Sequence, residues 1–203
     1  MSKSTGLDLI LHQLGLMAPT GYAIGLHIRF AAPLMTFQTY DERWIERYTE
    51  QGYGLRDPLI GWGMSQTGAC RWSDLNVPDP FGIMAEALEY GLVYGVAVAC
   101  GPISSRSIAG ISRADREFTD GEMEAISALI HRLHDVTEPP AHLTKAQQDA
   151  LRLIANGDRH AAAAAKLGIS ESALKARLNS AKDRLMARTT AEAIQRAKEY
   201  RLL

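Results

Sequence analysis

The sequence predicts an α+β fold: an N-terminal α/β/α sandwich around an antiparallel sheet, then a C-terminal all-α domain of four helices. Three observations carry this. Period-two and period-3.6 hydrophobic patterns alternate up to about residue 136, whereas only helical patterns occur beyond it. The run Thr137-Glu138-Pro139-Pro140-Ala141-His142 separates them, and a double proline continues neither helix. Charge changes sign across the same run. Of 22 Lys+Arg and 23 Asp+Glu, 12 and 6 lie from Leu143 onward (net +6), leaving 10 and 17 before it (net −7). The boundaries read as a first domain over 1–136, a linker over 137–142 and a second domain over 143–203.

Within the first domain, Leu7, Leu9, Ile10, Leu11, Leu14 and Leu16 mark a short amphipathic helix. Gly21–Phe30 alternates at period two (Tyr22, Ile24, Leu26, Ile28, Phe30) and reads as a strand ended by Ala31-Ala32-Pro33. Leu34–Gln38 can pair back on it. Tyr40, Trp44 and Tyr48 come next at steps of four, so on a helix capped near Asp41 they share one stripe. Ile45 aside, the residues between them are polar or charged. An ordinary core stripe uses Leu, Ile, Val and Ala, because a buried phenol or indole N–H has to find a partner.

Asp57-Pro58 enters an apolar run (Leu59, Ile60, Trp62), with Pro58 in the first turn of a second helix. A carboxylate among aromatics needs a donor, either the nearby Arg56 or a group on a ligand. Asp79-Pro80 opens a further helix through Met84, Leu88 and Leu92. Val96–Cys100 and Ser107–Ser112 read as strands, and Thr119–Val136 as a long helix with Met123, Ile126, Leu129, Ile130 and Leu133 on one face.

The second domain is helical throughout. Leu143-Thr144-x-x-Gln147 has the form of a capping box, before a helix with Leu151, Leu153 and Ile154 inward and Gly157 at its end. A short alanine-dense helix spans Ala161 to Ala165. Gly168-Ile169-Ser170 then makes a turn in which Ser170 caps a helix striped by Leu174, Leu178, Ala181 and Leu185. Thr189-x-x-Glu192 caps a last helix. Helix, short helix, Gly-containing turn and basic helix form a helix-turn-helix order, whose second member enters the major groove of double-stranded DNA. Lys175 and Asn179, one turn apart on one face, are the candidates for base edges. Arg159, Arg177 and Lys182 are the candidates for phosphates.

Composition narrows the classes. No apolar run approaches the roughly 20 residues of a membrane span, and the N-terminus lacks a basic-then-apolar signal pattern. Cys70 and Cys100 have no metal motif around them and read as reduced thiols of a cytoplasmic protein. His131 and His134 lie three apart without a third ligand. Neither a Gly-rich phosphate loop nor a Gly-x-Ser-x-Gly elbow is present, so the expectation is a non-enzyme with no metal, cofactor or membrane partner.

The pattern Tyr40-x3-Trp44-x3-Tyr48-x8-Asp57-Pro58-x13-Trp72 resembles the autoinducer-binding domain of LuxR-type quorum-sensing regulators. The run Leu167-Gly168-Ile169-Ser170-x-x-Ala173-Leu174-Lys175-x-Arg177-Leu178 resembles their DNA-binding domain. The resemblance implies a pocket for an N-acyl homoserine lactone. In it Trp44 donates to the lactone carbonyl, Asp57 accepts from the amide N–H and Tyr40 donates to the acyl carbonyl, while Tyr48 and Trp72 line the wall. Gly91-Leu92-Val93-Tyr94-Gly95 fits the family's glycine pair leading into a central strand, which puts Gly95 beside the ligand. Gly110 stands where the family often carries Ser or Thr against the acyl chain. A glycine there leaves more room and one fewer donor, so an unsubstituted chain is expected to bind at least as well as its 3-oxo counterpart. The resemblance further implies a homodimeric transcription factor on a two-fold operator. Three other readings stay open: a regulator of this architecture answering to another ligand or none, an antiactivator (Ala162-Ala163 replace the family's usual Glu-Ile), and a lactone-degrading enzyme.

Overall fold

The computed structural model describes residues 3–29, 32–138 and 142–203, and divides the chain into two compact units, Met1–Thr137 and Glu138–Leu203. Phe30, Ala31 and the Pro139-Pro140-Ala141 stretch, on which expectations above fall, lie outside the described residues.

In the first unit, helix α1 (Lys3–Met17) precedes a hairpin of β1 (Gly21–Ile28) and β2 (Met35–Gln38). Then come α2 (Glu42–Glu50), α3 (Pro58–Ser65), β3 (Gly68–Arg71), α4 (Ile83–Glu89), β4 (Tyr94–Cys100), β5 (Arg106–Arg113) and α5 (Asp120–Val136). The five strands form one antiparallel sheet in the order β2-β1-β5-β4-β3. Strand β3, only four residues long and half-buried along its length, is an addition to the sequence reading. Gly-Ala-Cys-Arg has no alternation to reveal it. The helix expected from Asp79-Pro80 begins later, at Ile83. Asp79 caps it from outside, its two carboxylate oxygens accepting from the backbone N–H groups of Ile83 (3.0 Å) and Met84 (2.8 Å). It ends before Leu92, at Glu89.

Side-chain alternation divides the sheet into two faces. Tyr22, Ile24 and Leu26 of β1, Val96, Val98 and Cys100 of β4, and Ala109 and Ile111 of β5 pack on Ile10 and Leu14 of α1 and Ile126, Ile130 and Leu133 of α5. This is the large-residue core. The opposite face carries Ala23, Gly25, Ala97, Ala99, Ile108 and Gly110, mostly small residues, beneath α2, α3 and α4. Helix α3 comes very close to it: a Cβ on Gly63 would lie 2.8 Å from Ile108 side-chain atoms. Three layers result, helices on both faces of one sheet.

The boundary of the first unit differs from expectation by one residue. Thr137, read as the start of the linker, is the buried C-cap of α5, and its hydroxyl donates to Leu133 O at 2.7 Å. The buried His27, held at φ 51° where β1 bulges between Gly25 and Ile28, meets that hydroxyl with Nε2 at 3.0 Å.

The second unit consists of α6 (Lys145–Ala155), α7 (His160–Lys166), α8 (Glu171–Leu185) and α9 (Thr190–Glu199). Helix α6 packs on α8 and α9, and α7 packs on α8. Thr144 and Gln147 form the reciprocal capping box expected of them, and Ser170 and Thr189 cap α8 and α9. Leu174, Leu178, Ala181 and Leu185 are all buried.

Candidate ligand-binding site

Small side chains on the second face of the sheet leave a cavity of about 830 Å³ between that face and helices α2, α3 and α4. Tyr40, Trp44, Tyr48, Asp57, Trp72 and Gly110 all line it. Residues that lie up to 70 positions apart in sequence therefore meet at one place. The α2 stripe turns inward as its spacing required, with Trp44 buried. Tyr40 precedes the helix, whose N-cap is Asp41.

The polar tips are placed by specific partners. The Tyr40 hydroxyl donates to Gly110 O at 2.8 Å, tying the entry of α2 to β5. The Tyr48 hydroxyl donates to Asp57 Oδ2 at 2.7 Å. Asp57 is the N-cap of α3, and its Oδ1 accepts from the Leu59 backbone N–H at 2.7 Å. Arg56 is not its donor: that guanidinium reaches Gln51 O and stacks over Phe81, 4.8 Å from the ring centre. Burial raises the Asp57 carboxyl above the usual carboxylate range, and the hydrogen bonds from Tyr48 and Leu59, with the nearby Ile60 backbone N–H, only partly oppose it. The phenols of Tyr40 and Tyr48 are pushed up by burial first and by the Asp57 charge second.

The aromatic wall is continuous. The ring of Trp44 lies 5.7 Å from Tyr48, edge to face, and 5.2 Å from Tyr90. Behind it Tyr53 and Arg47 both bond to Glu86 of α4, Arg47 Nε at 2.6 Å, so α2 and α4 are latched across the end of the cavity. The Tyr53 hydroxyl and then the Arg47 guanidinium hold the Glu86 carboxyl below its usual range.

Gly95 has a different place from the one the resemblance gave it. It is not on the cavity wall but under the Trp72 indole: a Cβ there would lie 2.1 Å from Trp72 Cδ2 and Cε2. Its lack of a side chain lets the ring lie flat on the strand, which is a packing role one step removed from the cavity. Gly110 is on the wall, where an added Cβ would lie 3.2 Å from Tyr40 Oη and 3.6 Å from both Leu59 Cδ1 and Trp72 Cζ2.

Sequence reasoning missed the apolar and small residues of the wall: Ala23 and Gly25 of β1, Ile108 of β5, and Ile83, Met84 and Ala87 of α4. One signal was available. In β1 the alternate positions Ala23 and Gly25 are small while Tyr22, Ile24 and Leu26 are large, so one face is vacated.

A deep, largely apolar cavity with one carboxylate and several aromatic tips defines the first unit as a small-molecule-binding domain. Residues 12–136 match the autoinducer binding domain family, and the chain belongs to that family. The chain is similar to the HTH-type quorum-sensing regulator RhlR of Pseudomonas aeruginosa, with 29% identity over 74% of this chain and 70% of the relative. It is also similar to the transcriptional activator protein RaiR of Rhizobium etli, with 28% identity over 76% of this chain and 71% of the relative. Both relatives are regulators by name, not enzymes. In fold it resembles the crystal structure of Escherichia coli SdiA, with a TM-score of 0.55 at 20% identity over 97% of this chain and 91% of that one. Among the described residues no group of three or more His, Cys, Asp or Glu could hold a metal ion, and no helix is long and apolar enough to cross a membrane.

Proposed function

We propose that the chain is a quorum-sensing transcriptional regulator whose first unit encloses an N-acyl homoserine lactone and whose second unit binds double-stranded DNA. One observation carries the reading: the Asp57 carboxylate is built into the wall of an apolar cavity with two internal donors, one to each oxygen. A carboxylate offers about four acceptor sites, so it retains room for a donor from the ligand. The lactone's amide is such a donor, and its carbonyls are acceptors for Trp44 and Tyr40. Trp44 lines the cavity and is placed for that role. Tyr40 would exchange the Gly110 carbonyl for the acyl carbonyl.

In the second unit α7, the Gly168 turn (φ +64°) and α8 follow the helix-turn-helix order, with α8 as the reader. Lys175, Asn179 and Arg159 are exposed, while Arg177 and Lys182 are half-buried at the flanks of the same helix. A homodimer on a two-fold operator suits this architecture, ligand occupancy shifting dimerisation, stability or operator affinity. The test is mass spectrometry of an organic extract of protein purified from lactone-producing cells, with thermal melts across a lactone titration. A lactone in the extract and a concentration-dependent rise in Tm are expected. Neither would be seen if the cavity served another ligand or none.

A further inference from the structure

The floor of the cavity is clear in one direction, across the strands towards the edge of the sheet. Strand register sets Gly110 of β5, Ala23 of β1 and Gln38 of β2 side by side, with Ile108, Gly25 and Thr36 in the next row. All six line the cavity. From β5 outward the first row therefore carries nothing larger than a methyl group until Gln38. Pro33 bounds it on one side, its Cβ 3.3 Å from the position a Cβ would take on Gly25. At the edge, Met35 and Phe37 of β2 pack into the large-residue core, whereas Thr36 and Gln38, on the cavity face, are exposed. A residue that lines a cavity and is also exposed belongs to its rim. Thr49 of α2 and Gly61 of α3 are of the same kind, so the rim runs from β2 to these two helices. The other directions are shut. Towards β4, Gly63 of α3 lies on Ile108, and Trp62 packs with Ala97 and Ala99. Towards α4, Ile83, Ala87 and Leu92 are buried with Trp44 and Tyr53.

We infer that the cavity opens to solvent at the β2 edge, and that its ligand is a lactone whose acyl chain is long enough to leave through that opening. The inference rests on the lactone reading above, in which the acyl carbonyl meets Tyr40 Oη. That atom is 3.2 Å from the Gly110 Cβ position, so the chain starts at the inner end of the clear row. From Gly110 to Gln38 is two strand spacings, about 10 Å. With bonds of about 1.5 Å, an extended carbon chain crosses that distance in about eight atoms. Half-buried Ile45 of α2 and Ile60 and Met64 of α3 line the cavity on its helical side and keep the passage apolar. Carbons beyond the rim lie in water and meet no wall. The protein thus sets a lower limit on chain length and no upper one, and it accepts a bulky group at the end of the chain.

The experiment is calorimetry of the full chain with unsubstituted lactones of increasing acyl length, and with a long-chain lactone carrying a fluorescent group at its end. Affinity is expected to rise about fourfold per methylene while methylenes are being buried, then to level off beyond about eight to ten carbons. The labelled lactone is expected to bind as tightly as the same lactone without the label. Its fluorescence in the complex stays open to quenching by iodide. Gln38→Trp sets a large ring at the exposed rim of an edge strand, a position suited to an aromatic residue. In that variant the ratio of labelled to unlabelled affinity falls about tenfold or more, whatever the absolute affinities. A steep loss of affinity past some chain length, or rejection of the labelled lactone, shows a closed end and overturns this inference while the lactone reading stands. So does a label shielded from iodide, or a tolerance of the label that Gln38→Trp leaves unchanged. A protein that takes up no lactone of any length overturns the lactone reading and this inference with it.

Discussion

The Tyr48 hydroxyl donates to Asp57 Oδ2 at 2.7 Å, joining the last aromatic of the α2 stripe to the N-cap of α3. That bond fixes the carboxylate against the cavity. Asp57→Asn keeps the shape but can turn an amide donor toward the ligand's amide donor. Lactone affinity is expected to fall roughly ten- to a hundredfold. Trp44→Phe keeps a ring and removes one indole donor, a smaller loss of about 0.5–1.5 kcal/mol. Thermal melts across a lactone titration read both effects, because ligand stabilisation depends on the ratio of free ligand to Kd. An undiminished ligand shift in Asp57→Asn would return these residues to the role of plain core.

Tyr48→Phe removes one of the two donors of Asp57 and leaves the ring in place. Ligand-free protein is expected to lose about 1–3 kcal/mol, the cost of an unsatisfied partly buried polar group. The carboxyl should also titrate at still higher pH than in the unmodified protein. Denaturant melts give the first quantity and carbon NMR of the Asp57 carboxyl the second. No change in either would show that solvent in the cavity already replaces the tyrosine.

Ligand binding should depend on pH through the same carboxyl. Burial raises the folded pKa of Asp57 above 3.8, so in empty protein its charged form is disfavoured. A ligand N–H stabilises that charged form and lowers the pKa again. Affinity is therefore full above the raised value and declines as pH falls through it, with one proton taken up per ligand released. Asp57→Asn should bind with no such dependence. A titration series from neutral pH down to about 4.5, where the lactone ring is intact, measures it.

Most of the fold was legible because its signals were local. Asp41, Thr119, Thr144, Ser170 and Thr189 each cap the helix that begins just after them. The alternation of Tyr22, Ile24 and Leu26 marked β1. The parts that stayed hidden depended on partners distant in the chain. Strand β3 exists because Gly68–Arg71 pairs with β4, Gly68 opposite Ala99 and Arg71 opposite Val96, and four such residues carry no pattern of their own. Gly95 could not be placed without the Trp72 ring, 23 positions earlier, that lies on it. That Trp72 Nε1 is buried without a partner among the described residues was hidden for the same reason. Thr137 read as linker because a single threonine beside prolines looks like a loop, whereas its hydroxyl meets His27, 110 positions away.

On DNA, charge and reading should separate. Lys182→Ala is expected to weaken binding to all duplexes and to flatten the dependence of log affinity on log salt by about one unit. Lys175→Ala or Asn179→Ala should instead reduce discrimination between the operator and other sequences, by about 1–3 kcal/mol for a good base contact. Gel shifts at several salt concentrations distinguish the two kinds of loss. Binding unaltered by all three changes would remove α8 as the reader.

Acid stability should be set first by His27. It is fully buried, with Nδ1 2.9 Å from Ser105 Oγ and Nε2 3.0 Å from Thr137 Oγ1, and its ring centre is 4.4 Å from that of His134. Burial first, and then His134, with a smaller contribution from Arg29, lower its pKa from 6.5 to about 4. The folded chain thus binds fewer protons at this site than the unfolded chain between those values. The stability it confers is complete above pH 6.5 and is lost progressively as pH falls from 6.5 towards 4. The carboxyls of Asp41 and Glu122 are held below their usual range, Asp41 by Arg43 and Glu122 by Arg116 and the Thr119 backbone. They begin to cost stability only as pH falls through their own unfolded values near 4. Between about pH 7 and about pH 5 the His27 imidazole is the titrating group that His27→Gln removes, so the difference between the two proteins reads it. His27→Gln retains one donor and one acceptor and cannot take up a proton in this range. Its Tm should start lower, because Gln fits the ring's space and the φ of 51° less well. That Tm should nevertheless fall less between about pH 7 and about pH 5 than that of the unmodified protein. If both proteins lose the same number of degrees over that interval, His27 is not the group that titrates.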